Sequence, residues 1–387
     1  MKSLFSNSIV NTGRQTELDI LKVITIFNMI FMHLQEVVFS FSYKDREFVQ
    51  NSWWILFVCN AMYLVGPFSF LFSMGCTIPF SRSNEAKTNM RRGFGLAIVW
   101  FALNLVRVFP IAINNMIYLG IPFKETYFKF IWANDVLFFA GVFFLLYGFL
   151  QMLDFSFRKI AFVFTAMFFI AQCVGNWGRF LPSWSYPWLS GIVRIDHYSS
   201  FPLLNWGLVV TLGMISGGFL QRCLDKTKLY AILGVSGGLA VIVMLPLLFI
   251  TGALETDVLL KTVSNPLSMH QANIISVACG IGCLALLLGI FHLLCIILPE
   301  KVNKGISFIS GKILSIYIAH WVILPGLCFY PWMRNGRAGF GKIATVALSL
   351  YLVSFFLILV YEFLVNSLKN PKPLFSRHDS HYSHARK

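Results

Sequence analysis

Charge is what this chain most lacks. Of its 387 residues only 12% are Asp, Glu, Lys or Arg, about half the roughly 25% of an ordinary soluble domain. So few charges cannot cover a globular surface of this size, and much of that surface must face something other than water. Acids are scarcer than bases, 16 against 31, leaving a net charge of +15. On a polar domain that excess would point to nucleic acid. Here no basic stripe lies on a polar domain, so no nucleic-acid partner is expected. There is no CxxC pair. Most of the eight cysteines sit inside apolar runs, and Cys279 and Cys283 are simply one helical turn apart. They read as small buried residues rather than disulfides or metal ligands. No cleavable signal is expected either: residues 1–17 are polar and the apolar run that follows is too long for an h-region. Neither an internal repeat nor a separate soluble domain is visible.

What the sequence has instead is long apolar runs. Hydrophobic residues make up 57% of the chain, with 40 Phe and 10 Trp, and the mean hydropathy is +0.72. A helix needs about 20 mostly apolar residues to cross a bilayer. Ten runs meet that need: 20–41, 53–79, 94–113, 134–153, 160–177, 201–220, 229–251, 271–298, 312–330 and 343–366. The Gly66-Pro67 pair predicts a kink or break in the second. With the N-terminus inside, the inner segments hold 18 Lys and Arg and the outer ones 10, with Lys22, Arg107 and Lys312 left within or at the start of spans. This bias predicts both ends in the cytoplasm. The fold class is all-α: a polytopic bundle over 1–366, with a basic tail at 367–387 expected to be disordered. His378, His381 and His384 recur every three residues in that tail, and no metal is expected there.

Ionisable groups inside spans cost about 2.5–3.5 kcal/mol each on insertion scales unless they face a partner or a cavity, so they are the functional candidates. Span one opens with Arg14, Glu17, Asp19 and Lys22, then carries Asn28, His33 and Glu36. Asp19 and His33 are fourteen residues apart, nearly four turns, so they share a face with His33 about 21 Å along the axis. Glu36, three residues on, can reach the same neighbourhood and set the imidazole's tautomer. The alternative is a neutral His33 that only fixes packing. Arg91 and Arg92 follow span two, either as topology signals or as a phosphate-binding entrance. Asn134-Asp135 opens span four, as a cap or as a cavity wall. Arg194, Asp196 and His197 lie in an aromatic-rich outer loop that suits the membrane interface or stacking on sugar rings. His320 stands within Ser315-Ile-Tyr-Ile-Ala-His-Trp321, as a structural or a cavity-lining group.

The run Arg14-Gln-Thr-Glu-Leu-Asp19-Ile-Leu-Lys22, with His33 fourteen residues after the Asp, resembles the opening of two related groups of multi-spanning membrane acyltransferases: acyltransferase family 3 and the heparan-α-glucosaminide N-acetyltransferase-like proteins. Later segments resemble the second group. These are Gly66 to Gly75 followed by Arg91-Arg92-Gly93, Asn134-Asp135 to Gly141, Phe201 to Trp206 with Gly213 and Gly217, and Tyr317-Ile-Ala-His320. Lys22 stands where Arg is usual, and the loop from Ser42 to Trp53 lacks the histidine that lysosomal animal members place there.

The resemblance implies an acetyltransferase. Acetyl-CoA is the expected co-substrate on the cytoplasmic side, and a sugar or glycan on the far side is the expected acceptor. His33 is the expected base or transient acetyl carrier, with Glu36 and Asp19 in support. Arg14, Lys22, Arg91 and Arg92 would meet the cofactor; Asn134, Asp135, Asp196, His197, Trp206 and His320 would meet the acceptor. Membrane lipids are the other expected partners, the inner membrane is the expected location, and the oligomeric state is left open. The competing reading is a proton-coupled transporter or flippase of a glycan-type substrate, with His33, Glu36 and His320 as its relay.

Overall fold

The computed structural model describes residues 4–42, 66–195, 200–250, 274–327, 329 and 339–369. Among them the regular secondary structure is helical, and β pairing is limited to one isolated bridge between Phe5 and Cys223. In chain order the helices are α1 (Thr16–Ser42), α2 (66–77), α3 (Ala86–Leu119), α4 (Phe123–Phe130), α5 (Val136–Met152), α6 (Phe157–Val174), α7 (Leu203–Arg222), α8 (Lys226–Ile250), α9 (Ile274–Ile297), α10 (Glu300–Ser310), α11 (Ile313–Leu327) and α12 (Phe340–Lys369). Three short helical turns between Trp177 and Leu189 join α6 to α7.

Six of these helices are long and apolar enough to cross a membrane: α3, α6, α7, α8, α9 and α12. The bent pair α10–α11, turned by 60° at its break, makes a seventh. The helix α5 is apolar but only 17 residues long, and α1 carries Glu17, Asp19, Lys22 and Glu36. Much of the expected second span, from 53 to 65, and the expected outer loop 252–270 lie outside the described residues, so the count of ten remains an expectation. Two expected boundaries shift. The third span opens two turns early, at Ala86, because nothing between Ala86 and Phe94 breaks a helix. The expected inner loop 299–311 is the amphipathic helix α10, started by Pro299.

The central strut is α1. It packs on α9, α10, α11 and α12 and buries Leu21, Ile26, Ile30, Phe31 and Leu34 almost completely. A second group joins α3 to α5, α5 to α7, and α6 to α7, and α11 bridges the two groups by touching both α1 and α3. Lipid tails are as apolar as leucine, so spanning helices gain little from apolar burial and associate through close backbone approach at small residues. The seam between α2 and α7 shows this. A Cβ on Gly75 would lie 2.0 Å from the Val210 carbonyl oxygen, one on Gly213 2.2 Å from that of Phe72, and one on Gly217 2.4 Å from that of Cys76. On the outer faces of α8 and α12, Ile232, Val235, Leu239, Ile242, Leu352, Phe356 and Phe363 stand exposed, the surface a bilayer would cover.

The described parts of the expected inner segments gather at one end of the bundle. Residues 4–11 are laced to the end of α7: Ser6 N donates to the Arg222 carbonyl at 2.8 Å, Val10 N and Asn11 N to that of Gln221 at 2.9 Å, and Asn11 Nδ2 to that of Cys223 at 2.6 Å. Gln221 Nε2 reaches the Pro79 carbonyl at 2.9 Å, and Asn89 at the start of α3 reaches Gln151 at the end of α5 at 2.8 Å. We call this the basic end.

Candidate active site

Asp19 belongs to the basic end. It is 3% exposed and fully engaged. Arg14 Nε meets Oδ2 at 2.6 Å, Ser307 Oγ donates to Oδ2 at 2.8 Å, and Ser310 Oγ donates to Oδ1 at 2.6 Å. Arg14 also donates to the Ser307 carbonyl. The carboxylate therefore ties α1 to α10. Lys22, one turn further along α1, is half-buried. Arg91 is exposed. Arg92 folds over the α2–α3 turn, with Nη2 3.1 Å from Ser81 Oγ and Nη1 3.4 Å from Asn89 Oδ1. Nearby, a cavity of about 370 Å³ is lined by polar Asn84, Tyr147, Gln151 and Arg222, and by apolar groups including Pro79 and Phe157.

Four turns up α1, a second cluster converges. The His33 and His320 rings lie nearly parallel, with centroids 5.8 Å apart and 10° between planes. The Trp321 indole closes on His33 at 4.3 Å. The guanidinium of Arg107, from the middle of α3, sits 4.4 Å over the Trp321 ring, within cation–π range. Arg107 Nη1 is also 3.1 Å from Asp135 Oδ2, and Tyr317 donates its hydroxyl to the same oxygen at 3.1 Å. The other Asp135 oxygen accepts from Leu137 N at 2.9 Å and Phe138 N at 3.2 Å, capping α5. Asp135 thus serves as cap and as cluster member at once. Removing one partner from a buried ion pair strands the other and costs about 3–5 kcal/mol, which explains why Arg107 and Asp135 occur together.

His320 is fully buried. Its Nδ1 has a long 3.4 Å contact to the Ile316 carbonyl, and Nε2 has no hydrogen-bond partner among the described residues. Tyr317 packs edge-on against the same ring at 5.2 Å. Buried polar atoms are nearly always satisfied, and an orphan asks for an explanation; here it is a ring nitrogen that can accept or donate one proton beside a second imidazole. His33 is only half-buried.

The other expected site residues divide. Asn134 lies beside the cluster and donates to Ser190 Oγ at 2.5 Å. Trp206 is packed in the core against Phe68 at 4.9 Å and Phe201 at 5.5 Å. The backbone of Glu36 is helical, but its side chain, with Asp196 and His197, lies outside the described residues. The sequence reading gave no role to Arg107 or Trp321, and it did not single out His292, whose Nδ1 lies 2.8 Å from Oε1 of Glu17, a residue it had noted only in the opening of span one. The signal for Arg107 and His292 was present, an ionisable group in an apolar run. Among the described residues no group of three or more His, Cys, Asp or Glu is placed to hold a metal ion.

A helical membrane bundle with paired imidazoles in its interior, backed by a buried Arg–Asp–Tyr network, has the parts of an intramembrane acid–base centre. The family described as "Heparan-alpha-glucosaminide N-acetyltransferase, catalytic" matches residues 14–234, more than half of the chain, and this chain belongs to it. Neither a curated protein nor a solved structure matches the chain. The matched range contains His33, Arg107 and Asp135; Tyr317, His320 and Trp321 come from beyond it.

Proposed function

We propose that this protein transfers an acetyl group from acetyl-CoA, taken up at the basic end and therefore from the cytoplasm, to a sugar or glycan acceptor on the opposite side of the membrane. The observation that carries this reading is the His33–His320 pair held by Trp321, Arg107, Asp135 and Tyr317 within a chain of this acetyltransferase family. CoA is a large anion that does not cross lipid, so a soluble donor and an outside acceptor require a route through the bundle. In this reading the 370 Å³ cavity at the basic end, with Arg222, Asn84 and Gln151 in its wall, is the donor's entrance, and Arg91 and Arg92 supply charge for its phosphates. His33 takes the proton of the incoming hydroxyl or amine, and His320 exchanges a proton with it or holds its orientation. Asp19 and Arg14 position the start of α1 rather than touch the reacting atoms. Asn134 and Asp135 border the acceptor side.

Labelled acetyl-CoA supplied to the basic face of proteoliposomes, with a mixed glycan acceptor on the other, tests this. Label should reach the acceptor with wild type and fall about 10²–10⁴-fold with His33→Ala, the usual worth of a general base. Undiminished transfer by that variant would remove the assignment. Acceptor movement driven by a proton gradient without acetyl-CoA would favour the transporter.

A further inference from the structure

At the basic end, far along α1 from His33, three side chains from three helices form a second arrangement. Glu17 of α1 receives His292 Nδ1 of α9 at 2.8 Å, and His292 Nε2 stands 3.2 Å from the hydroxyl of Thr227 in the first turn of α8. Glu17 and His292 are buried, whereas Thr227 is exposed among Asp225, Lys226 and Lys228. With Nδ1–H donated to the carboxylate, Nε2 is left to accept the hydroxyl proton. This is the order of a nucleophile, a base and an orienting acid. Tyr230, one turn on from Thr227, stacks on the His292 ring with centroids 4.8 Å apart. It also lines an apolar cleft of about 120 Å³ with Leu18, Leu229, Leu233 and Leu288. An activated hydroxyl at the water boundary thus adjoins a slot for a short apolar chain. In the first turn of α8, Lys228 N is taken by Asp225 Oδ1 at 2.9 Å and Leu229 N by the Asp225 carbonyl at 3.1 Å, which leaves the N–H groups of Lys226 and Thr227 to face a developing oxyanion.

We infer that Thr227, His292 and Glu17 form a second acyl-transfer centre, at which Thr227 takes an acyl group from a thioester and passes it to water. Thr227 Oγ1 attacks the thioester carbonyl while its proton moves to His292 Nε2. The carbon–sulfur bond breaks and the leaving thiolate takes that proton. A water, deprotonated by the same nitrogen, then cleaves the ester, releasing the carboxylic acid and restoring Thr227. The choice of acetyl-CoA as natural donor rests on the function proposed above; the nucleophile itself does not.

The test uses the full chain in detergent with two donors separately, p-nitrophenyl acetate and acetyl-CoA, followed by peptide mass spectrometry. Hydroxylamine separates an ester on Thr227 from stable amides on Lys226 or Lys228. A hydroxylamine-labile acetyl on Thr227 is expected with both donors. It should persist in Thr227→Ser, vanish in Thr227→Val, fall at least tenfold in His292→Gln, and remain in His33→Ala. An adduct with the ester alone keeps the nucleophile and removes acetyl-CoA as its donor. No Thr227 ester with either donor, in wild type that retains its cooperative melting transition, overturns the proposal, as does an adduct undiminished by His292→Gln.

Discussion

At the scale of single residues the cluster around His33 is held by one carboxylate. Asp135 accepts from Arg107, Tyr317 and two backbone amides of α5, so each partner depends on the others. Arg107→Leu leaves that carboxylate buried without its cation and should destabilise the protein by about 3–5 kcal/mol, read as a fall in the melting temperature of purified protein. Arg107→Lys keeps a charge but loses the planar stack on Trp321. It should recover part of that stability while still lowering kcat more than it raises KM, if Trp321 aligns the His33 ring. Individually, His33, Asp135 and His320 were legible in the sequence, because an ionisable residue in an apolar run must have a reason to be there. Their meeting was not legible: His33 and His320 stand on α1 and α11, and no local pattern encodes which helices adjoin. Arg107 was visible by the same rule but reads as a stray cation until Asp135 is seen 3.1 Å away.

Among the elements, one close seam is α2 against α7, and its glycines are among those that carry the family resemblance. Gly213→Ala sets a Cβ 2.2 Å from a backbone oxygen that cannot rotate aside, so the helices must part, at a cost of about 1–3 kcal/mol. Gly218→Ala, on the same helix with nothing within 4 Å of the added carbon, should leave the melting temperature unchanged or raise it. Comparing the two by thermal unfolding separates close packing from helix propensity. Motif glycines were therefore readable as a pattern but not as contacts. The bend at Gly311-Lys312 was hidden too, because a polar stretch between spans reads as loop until its partner is known. Asp19 is that partner, fastening Ser307 and Ser310 of α10 to α1. Asp19→Asn weakens charge-assisted hydrogen bonds worth about 1.5–3 kcal/mol each. Faster amide exchange in α10, with α3 and α5 unchanged, is the expected result.

For the molecule as a whole, the described parts of the expected inner segments lie together at one end, and the surplus of Lys and Arg in those segments predicts that this end faces the cytoplasm. A cysteine at Trp184, a residue 76% exposed in the segment joining α6 to α7, should react with a membrane-impermeant maleimide in intact cells. A cysteine at Glu300, whose side chain is 82% exposed, should react only after permeabilisation. The reverse pattern would invert the direction of transfer. The lacing of residues 4–11 onto α7 has a consequence in time. Asn11 is joined to Leu220, 209 positions away, so this seam cannot close until α1 to α7 have been made, and closing so long a loop is slow. Until then residues 4–11 stay unpaired with α7, and anything that captures them would leave a bundle complete in its described helices yet unfastened at the basic end.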